Sequence, residues 1–165
     1  MSIFPSWVEN RLFPCLESGF VRLKLLSLKG NIEQLKNLHL PQNQSAFTAR
    51  LACKNFKVLG LGFKQPFKET SADVTLEKGS LLISDLRARF GRSKIKGASL
   101  NIRGLYSNRP SYEILMAGSF ELQDLIQQLE MNFIPQGIRK KLGSMATLSG
   151  KLECRTKVLY KSGSE

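Results

Sequence analysis

The stretch that decides the fold is residues 78–97, which read KGSLLISDLRARFGRSKIKG. Apolar and charged residues alternate along it, between glycines at positions 79, 91 and 97. Successive side chains of a strand point to opposite faces, so this alternation predicts strands with one apolar and one polar face. Lys78-Gly79 and Gly91-Arg92 fit hairpin turns. The stretch therefore predicts antiparallel strands and leaves open which of the two faces carries the function.

The alternation assigns the side chains in and around this stretch to two faces. One face is predicted to carry the apolar residues Val74, Leu76, Leu82, Leu86, Ala88 and Phe90. The other face is predicted to carry the basic residues Arg87, Arg89, Arg92, Lys94 and Lys96. In the strand that follows the second turn, the apolar residues change from odd positions, at Ile95, to even positions, at Ala98. A β-bulge near Gly97 would place both residues on the same face.

Similar alternation extends over most of the chain and predicts an antiparallel meander. Further strands are predicted at about residues 20–29, 46–58, 72–77, 112–120 and 145–160. Residues 31–46, with Pro41 among polar residues, are predicted to form a loop or a short irregular segment. Apolar residues at positions 122, 125, 126 and 129 have helical spacing, and Pro135 can open a second short helix that runs through residue 142. The predicted fold class is mainly β, as one domain or fragment over residues 1–165, with one or two short helices around 122–142.

The charge balance restricts the class of partner. The chain has 165 residues and a formal net charge of +12, from 25 Lys and Arg against 13 Asp and Glu. Such a surface favours anionic partners, which include nucleic acid, acidic lipid headgroups and acidic proteins. The hydrophobic fraction of 42% is that of a folded protein, and the charge alone does not choose among these partners.

Residues for catalysis, metal binding or cofactor binding are scarce. The three cysteines, Cys15, Cys53 and Cys154, are far apart in sequence and form no CxxC pair, and His39 is the only histidine. A zinc site would need more of these ligands at closer spacing. Gly60-Leu-Gly62 lacks the third glycine of a dinucleotide-binding loop. The sequence therefore predicts a protein that is not an enzyme and has no cofactor, no metal and no small-molecule substrate.

Nucleic-acid binding is an alternative that the basic residues raise. The basic residues of the opening stretch stand near a second basic cluster at residues 139–141. Phosphate contacts require little more than such a surface. Binding of single strands usually adds exposed aromatic side chains for base stacking, and Phe90 falls on the apolar parity instead. A solvated outer face of the sheet is the favoured interpretation of these residues.

The sequence shows no segment that would place it in or across a membrane. No apolar run approaches the ~18 residues needed to span a bilayer. The N-terminal residues MSIFPSWV lack the basic start and apolar core of a signal peptide. Taken as complete, the chain would be a soluble cytoplasmic protein; as part of a longer protein, its targeting information would lie elsewhere.

The order of these features resembles a known family. Residues 73–97 follow the pattern of a short strand, then "l.l.dl.a.fG.s...g", then a return strand with a glycine. Residues 118–129 resemble a strand that ends in a "dl..ll" segment, and residues 134–152 resemble a proline-led helical turn followed by an "l.G...l" strand. Residues 17–30 resemble the strands that precede such units. Over about residues 17–155 the chain thus resembles the AsmA-like family of bacterial envelope proteins, which includes the TamB and YhdP branches.

The resemblance implies a fold, a function and a location. Members of this family are long, usually begin with an inner-membrane helix and reach into the periplasm, so this chain resembles a segment of such a protein. The implied fold is a curved, groove-like antiparallel sheet with an apolar concave face. The implied function is to shelter or conduct phospholipid between the inner and outer membranes, with phospholipids and the membrane envelope as partners.

Two further alternatives remain open. The six apolar residues named above are candidates for a lipid groove, but ordinary packing under a helix or a second sheet would give the same pattern. TamB-like relatives are associated with the assembly of outer-membrane proteins, so a scaffold that acts through exposed sheet edges is the second alternative.

Overall fold

The computed structural model describes residues 5–6, 8–59, 65–107, 109–124 and 149–161 of the chain. Its main body is one seven-stranded antiparallel sheet in which the strands follow one another in chain order. The strands are β1 (Leu16–Leu28), β2 (Phe47–Val58), β3 (Phe67–Glu77), β4 (Ser80–Phe90), β5 (Ser93–Arg103), β6 (Ser111–Glu121) and β7 (Lys151–Lys161). The predicted mainly β meander is confirmed, and β1 and β7 are its two edge strands.

The turn between β3 and β4 has the geometry that its sequence predicts. Lys78 and Gly79 have φ values of +50° and +66°, both in the left-handed region. A two-residue loop with positive φ at both positions matches the right-handed twist of the strands it joins. The residues at 78–79 therefore fix the register of this hairpin, in which Glu77 pairs with Ser80.

Register shifts interrupt the five adjacent strands β1 to β5. The bulge predicted near Gly97 in β5 is confirmed, since the pairing with β6 shifts between Ile95 and Gly97. Register shifts also surround Asn55 in β2, Glu69 in β3 and Asp85 in β4, and each of these residues has φ between +50° and +55°. β1 shifts its register against β2 as well. A bulge bends its strand and increases the local twist.

The segment between β1 and β2 is more regular than predicted. It contains a short helix, α1 (Ile32–Lys36), and a 3-10 helix at Pro41–Ala46. A capping box starts α1: the Asn31 side chain accepts a hydrogen bond from the Gln34 backbone N–H, and the Gln34 side chain accepts one from the Asn31 N–H. The prediction of a loop was wrong here because this Asn-x-x-Gln signal, followed by a proline at the start of the second helix, was not recognised.

Only the beginning of the predicted helical region lies within the described residues. Residues 122–124, directly after β6, are helical. The rest of the two predicted helices, and the first residues of the strand predicted from 145, lie outside the described residues. That part remains a prediction, while β7 itself starts at Lys151.

The core is divided into two clusters of buried side chains. The first cluster consists of Val8, Leu38, Ala46, Phe47, Ala49, Leu76, Leu81, Ile102 and Leu105. The second cluster consists of Val58, Phe67, Ala88, Phe90 and Phe120. The first contains residues from the start of β2 and the end of β3, and the second contains residues from the opposite ends of the same strands. The two clusters therefore lie toward opposite ends of the sheet.

Candidate functional site

One face of the sheet is apolar across all seven strands. Residues directly opposite each other on paired strands share a face, so the registers define rows of side chains that cross the sheet. The first row is Leu26, Ala49, Leu76, Leu81, Ile102, Tyr112 and Tyr160. The second row is Leu23, Leu51, Val74, Ile83, Leu100, Ile114 and Val158. We call the surface that contains these two rows the apolar face; neither row contains a charged side chain.

The opposite face is polar and held by exposed ion pairs. Lys24 of β1 contacts Asp73 of β3 at 2.7 Å, and Lys157 of β7 contacts Glu113 of β6 at 2.9 Å. Lys157 and Arg103 together lower the pKa of the Glu113 carboxyl, chiefly through the hydrogen bond from Lys157. We call this surface the polar face. Antiparallel sheets commonly expose one such face to water.

The apolar face is open to different extents along its length. Side chains in the two clusters are almost fully buried; Leu76 is 4% exposed and Phe90 is 2% exposed. Between the clusters the second row is only half-buried on β2 to β5. At the edges of the sheet it is exposed, with 55% for Leu23 and 47% for Val158. The face thus combines packed ends with an open middle that widens toward β1 and β7.

Five of the six predicted groove residues lie on the apolar face. Leu76 belongs to the first cluster, Ala88 and Phe90 belong to the second, and Val74 packs against the first. Leu86 is half-buried and pairs with Ala98 in the stretch between the clusters. The lipid-groove and core-packing interpretations therefore each apply to part of the set. Leu76, Ala88 and Phe90 are core residues, whereas Val74 and Leu86 are only half-buried.

Leu82 was assigned to the wrong face. It pairs with Thr75 and Asn101 of the polar face, whereas its neighbour Leu81 is buried in the first cluster. The bulge at Asp85 adds one residue to β4. After the bulge the even-numbered residues lie on the apolar face, whereas before it the odd-numbered residues do. For the same reason Leu81 and Ile83, which lie on the apolar face, were not among the predicted groove residues. An aspartate that interrupts an otherwise alternating strand was the available signal.

The five predicted basic residues are exposed, and two of them are neutralised by neighbours. Arg89 contacts Glu69 at 3.2 Å, and Lys96 contacts Glu153 at 3.0 Å. The Arg92 guanidinium donates a hydrogen bond to the Gln123 side chain. Arg87 and Lys94 project from the polar face. Because two of these five charges are paired with carboxylates on the sheet, the residues form a mixed surface and not a continuous basic track.

A buried carboxylate fixes the turn at the centre of the opening stretch. One oxygen of Asp124 accepts hydrogen bonds from the backbone N–H of Arg92 at 2.6 Å and of Ser93 at 2.9 Å, and from the Ser93 hydroxyl at 3.0 Å. The Ser93 hydroxyl in turn accepts the Glu121 N–H. Gly91 has φ +54°, and a Cβ there would lie 2.8 Å from the Asp124 carboxyl. The Asp124 carboxylate therefore has a structural role at this turn.

No constellation for catalysis or metal binding is present in the described part of the chain. No group of three His, Cys, Asp or Glu side chains comes close enough there to hold a metal ion. His39 is exposed on the segment between α1 and the 3-10 helix. Burial, together with the charge of Asp73, raises the pKa of the Cys53 thiol, which disfavours the reactive thiolate.

Among the described residues no helix has the length and apolar character that spanning a membrane would require. Comparison with known proteins gives no match, whether to family models, to curated proteins or to solved structures.

Proposed function

We propose that this chain is a lipid-handling segment of an AsmA-like envelope protein, in which the apolar face shelters or conducts phospholipid between the inner and outer membranes. The observation that carries the proposal is the pair of uninterrupted apolar rows that cross all seven strands. In this proposal the segment acts in the periplasm and its parent protein is anchored in the inner membrane.

The dimensions of the rows suit acyl chains. Adjacent strands lie ~4.8 Å apart, so a row that crosses seven strands has six such steps and extends about 29 Å. The hydrocarbon core of a bilayer is ~30 Å thick and consists of two opposed leaflets, so one acyl chain is about half as long as such a row. Each methylene sheltered from water contributes ~0.8 kcal/mol, so a chain lying along the open part of such a row is stabilised by several kcal/mol.

The partial burial of the apolar face fits transport better than tight storage. The two clusters pack the ends of the apolar face, and Leu86 between them is only half-buried. Toward the edges the same rows are exposed at Leu23 and Val158. A lipid could therefore enter and leave along the rows without unfolding the core. Movement along an apolar surface needs no acid, base or metal.

The matched pair Leu86→Asp and Leu82→Asp tests the proposal. The two leucines lie on one strand, on opposite faces, so the same substitution introduces the same charge at either the apolar or the polar face. Phospholipid that copurifies with the protein is measured by mass spectrometry, with circular dichroism as the check on folding. We expect Leu86→Asp to reduce bound lipid severalfold and Leu82→Asp to leave it unchanged. A folded wild-type protein without lipid, or equal loss in both variants, would overturn the proposal.

A second candidate function is assembly through the sheet edges. Most of the large exposed apolar side chains lie on the two edge strands, including Phe20 at 73% and Leu159 at 65% exposure. An exposed edge can add a strand from another chain, and an outer-membrane barrel protein is the partner that the family resemblance implies. A photo-crosslinking residue at position 20 or 159 tests this. Trapped barrel protein would favour assembly, whereas the absence of any trapped protein would count against it.

A further inference from the structure

A polar pocket lies at one end of the sheet, at the turn between β3 and β4. It has a volume of about 380 Å³ and is lined by Lys29, Gln34, Gln42, Ser45, Ala46, Thr48, Glu77 and Lys78. These residues come from the end of β1, from α1, from the 3-10 helix and from the β2 and β3 ends that they adjoin. A pocket of this size can hold a small polar ligand.

The lining chemistry favours an anion. Lys29 and Lys78 supply two ammonium groups, and the glutamine amides and the Ser45 and Thr48 hydroxyls supply further hydrogen-bond donors. The one carboxylate of the lining, Glu77, contacts Arg50 at 3.8 Å. Lysine ammonium groups and hydroxyls are common partners of phosphate oxygens in proteins.

The pocket lies at the strand ends, on the side of the polar face. Its two strand residues, Thr48 and Glu77, pair with each other in a row that also contains Ser27 and Ser80, and successive residues of a strand face opposite sides. Ala46 lines the pocket and also belongs to the first cluster. The end of the sheet therefore separates the pocket from the exposed leucines of the apolar face on β1.

We infer that this pocket binds a phosphate ester, either a soluble ester or the headgroup of a phospholipid. The lipid source rests on the proposed function, which supplies phospholipid to the sheet. Phosphate binding in the pocket itself does not depend on the apolar face.

Two soluble probes separate the sources of the phosphate. Isothermal titration calorimetry on the full chain would measure binding of glycerol 3-phosphate, which has no acyl chain, and of dihexanoyl phosphatidylglycerol below its micelle concentration. Tighter binding of the lipid than of glycerol 3-phosphate supports a headgroup site. Equal binding of the two supports the phosphate site and assigns it to a soluble ester.

The variants locate the binding. We expect the double substitution Lys29→Gln and Lys78→Gln to weaken binding of both probes by about tenfold, since two charge-assisted contacts are lost. The control double substitution Lys68→Gln and Lys94→Gln removes two exposed lysines from β3 and β5 and should change binding less than about twofold. No binding of either probe, or equal weakening in both double variants, overturns the inference.

A further variant separates this inference from the proposed function. Leu86→Asp should leave binding of glycerol 3-phosphate unchanged while it reduces copurified lipid. If lipid copurifies but glycerol 3-phosphate and the short lipid do not bind, the pocket assignment fails and the proposed function stands. If glycerol 3-phosphate binds but no lipid copurifies, the proposed function fails and the phosphate site stands.

Discussion

Asp124 shows how one side chain can link distant parts of the chain. Its carboxylate, 8% exposed, accepts three hydrogen bonds from the turn between β4 and β5, more than thirty positions earlier in the sequence. The carboxylate satisfies the amides of the turn beside Gly91, where a Cβ would lie 2.8 Å from the carboxyl group.

Removing this carboxylate should destabilise the fold far more than removing an exposed one. Asp124→Ala leaves two backbone N–H groups and a buried hydroxyl without their acceptor, and we expect a loss of about 2–4 kcal/mol in the free energy of unfolding. Asp73→Ala removes the exposed contact with Lys24 and should cost less than about 1 kcal/mol. Urea denaturation measures both. Equal losses would show that the turn does not depend on the carboxylate.

The pKa of Glu113 provides a second test at the residue scale. Lys157 and Arg103 lower the pKa of this carboxyl, so its folded-state pKa lies below its unfolded-state pKa. The pairing therefore stabilises the fold above the unfolded-state pKa, and the contribution is lost as the pH falls through the folded-state pKa. An NMR titration should show the Glu113 pKa below its ordinary value and a return toward that value in Lys157→Met. A pKa that Lys157→Met leaves unchanged would contradict the assignment.

Strands in which apolar and polar residues alternate regularly were predictable from the sequence, whereas the bulges within them were harder to predict. Ser80–Phe90 and Ser93–Arg103 could be bounded from sequence because turn residues flank each strand and the alternation is strong. The bulge in β5 was predictable because a glycine marks it. The bulge in β4 was not predicted, because its one sequence signal, an aspartate that interrupts the alternation, was interpreted as a polar residue of the outer face. One inserted residue reverses the facing of all earlier positions, which is why Leu82 was misplaced.

The backbone at Asp85 yields a prediction for β4. Its φ of +50° is unfavourable for most side chains and acceptable to glycine. We expect Asp85→Gly to change the free energy of unfolding by less than about 1 kcal/mol, and Asp85→Val to destabilise by about 1–3 kcal/mol, because a β-branched residue is strained there.

The control for this prediction is the neighbouring residue. Ser84 pairs with Asp73 and does not have positive φ. Ser84→Val should therefore change stability by less than about 0.5–1 kcal/mol, since valine suits extended strands. If Asp85→Val were as stable as Ser84→Val, the bulge at this position would be called into question.

At the scale of the whole molecule, the sequence predicted a two-faced sheet but not how far the apolar face is covered. Alternation determines which side chains share a face, whereas cover depends on segments that pack from elsewhere. Val8, Leu38 and Leu105 complete the first cluster from outside the strands, and no periodicity in the sequence indicated their position. The half-buried middle between the two clusters is likewise a tertiary result. This is the reason that open groove and closed core could not be separated before the structure.

The edge strands lead to a prediction about association. β1 presents exposed apolar side chains on both faces, including Phe20 on the polar face and Leu23 and Leu26 on the apolar face. In the described structure its outer backbone edge pairs with no other strand. Natural edge strands usually carry charges or bulges that prevent such pairing. β1 has three charged residues and shifts its register against β2, but seven of its 13 residues are large apolar side chains that are exposed. We therefore expect the chain to associate reversibly as its concentration rises.

Charges placed on β1 should suppress this association. We expect the double variant Leu23→Lys and Leu26→Lys to lower the weight-average mass at high concentration toward that of the 18.5 kDa chain, as measured by sedimentation velocity. Leu82→Lys is the control, because Leu82 is 38% exposed on the central strand β4, away from both edges. It should leave the concentration dependence unchanged. A wild-type mass independent of concentration, or an equal effect of Leu82→Lys, would show that the β1 edge is not the adhesive surface.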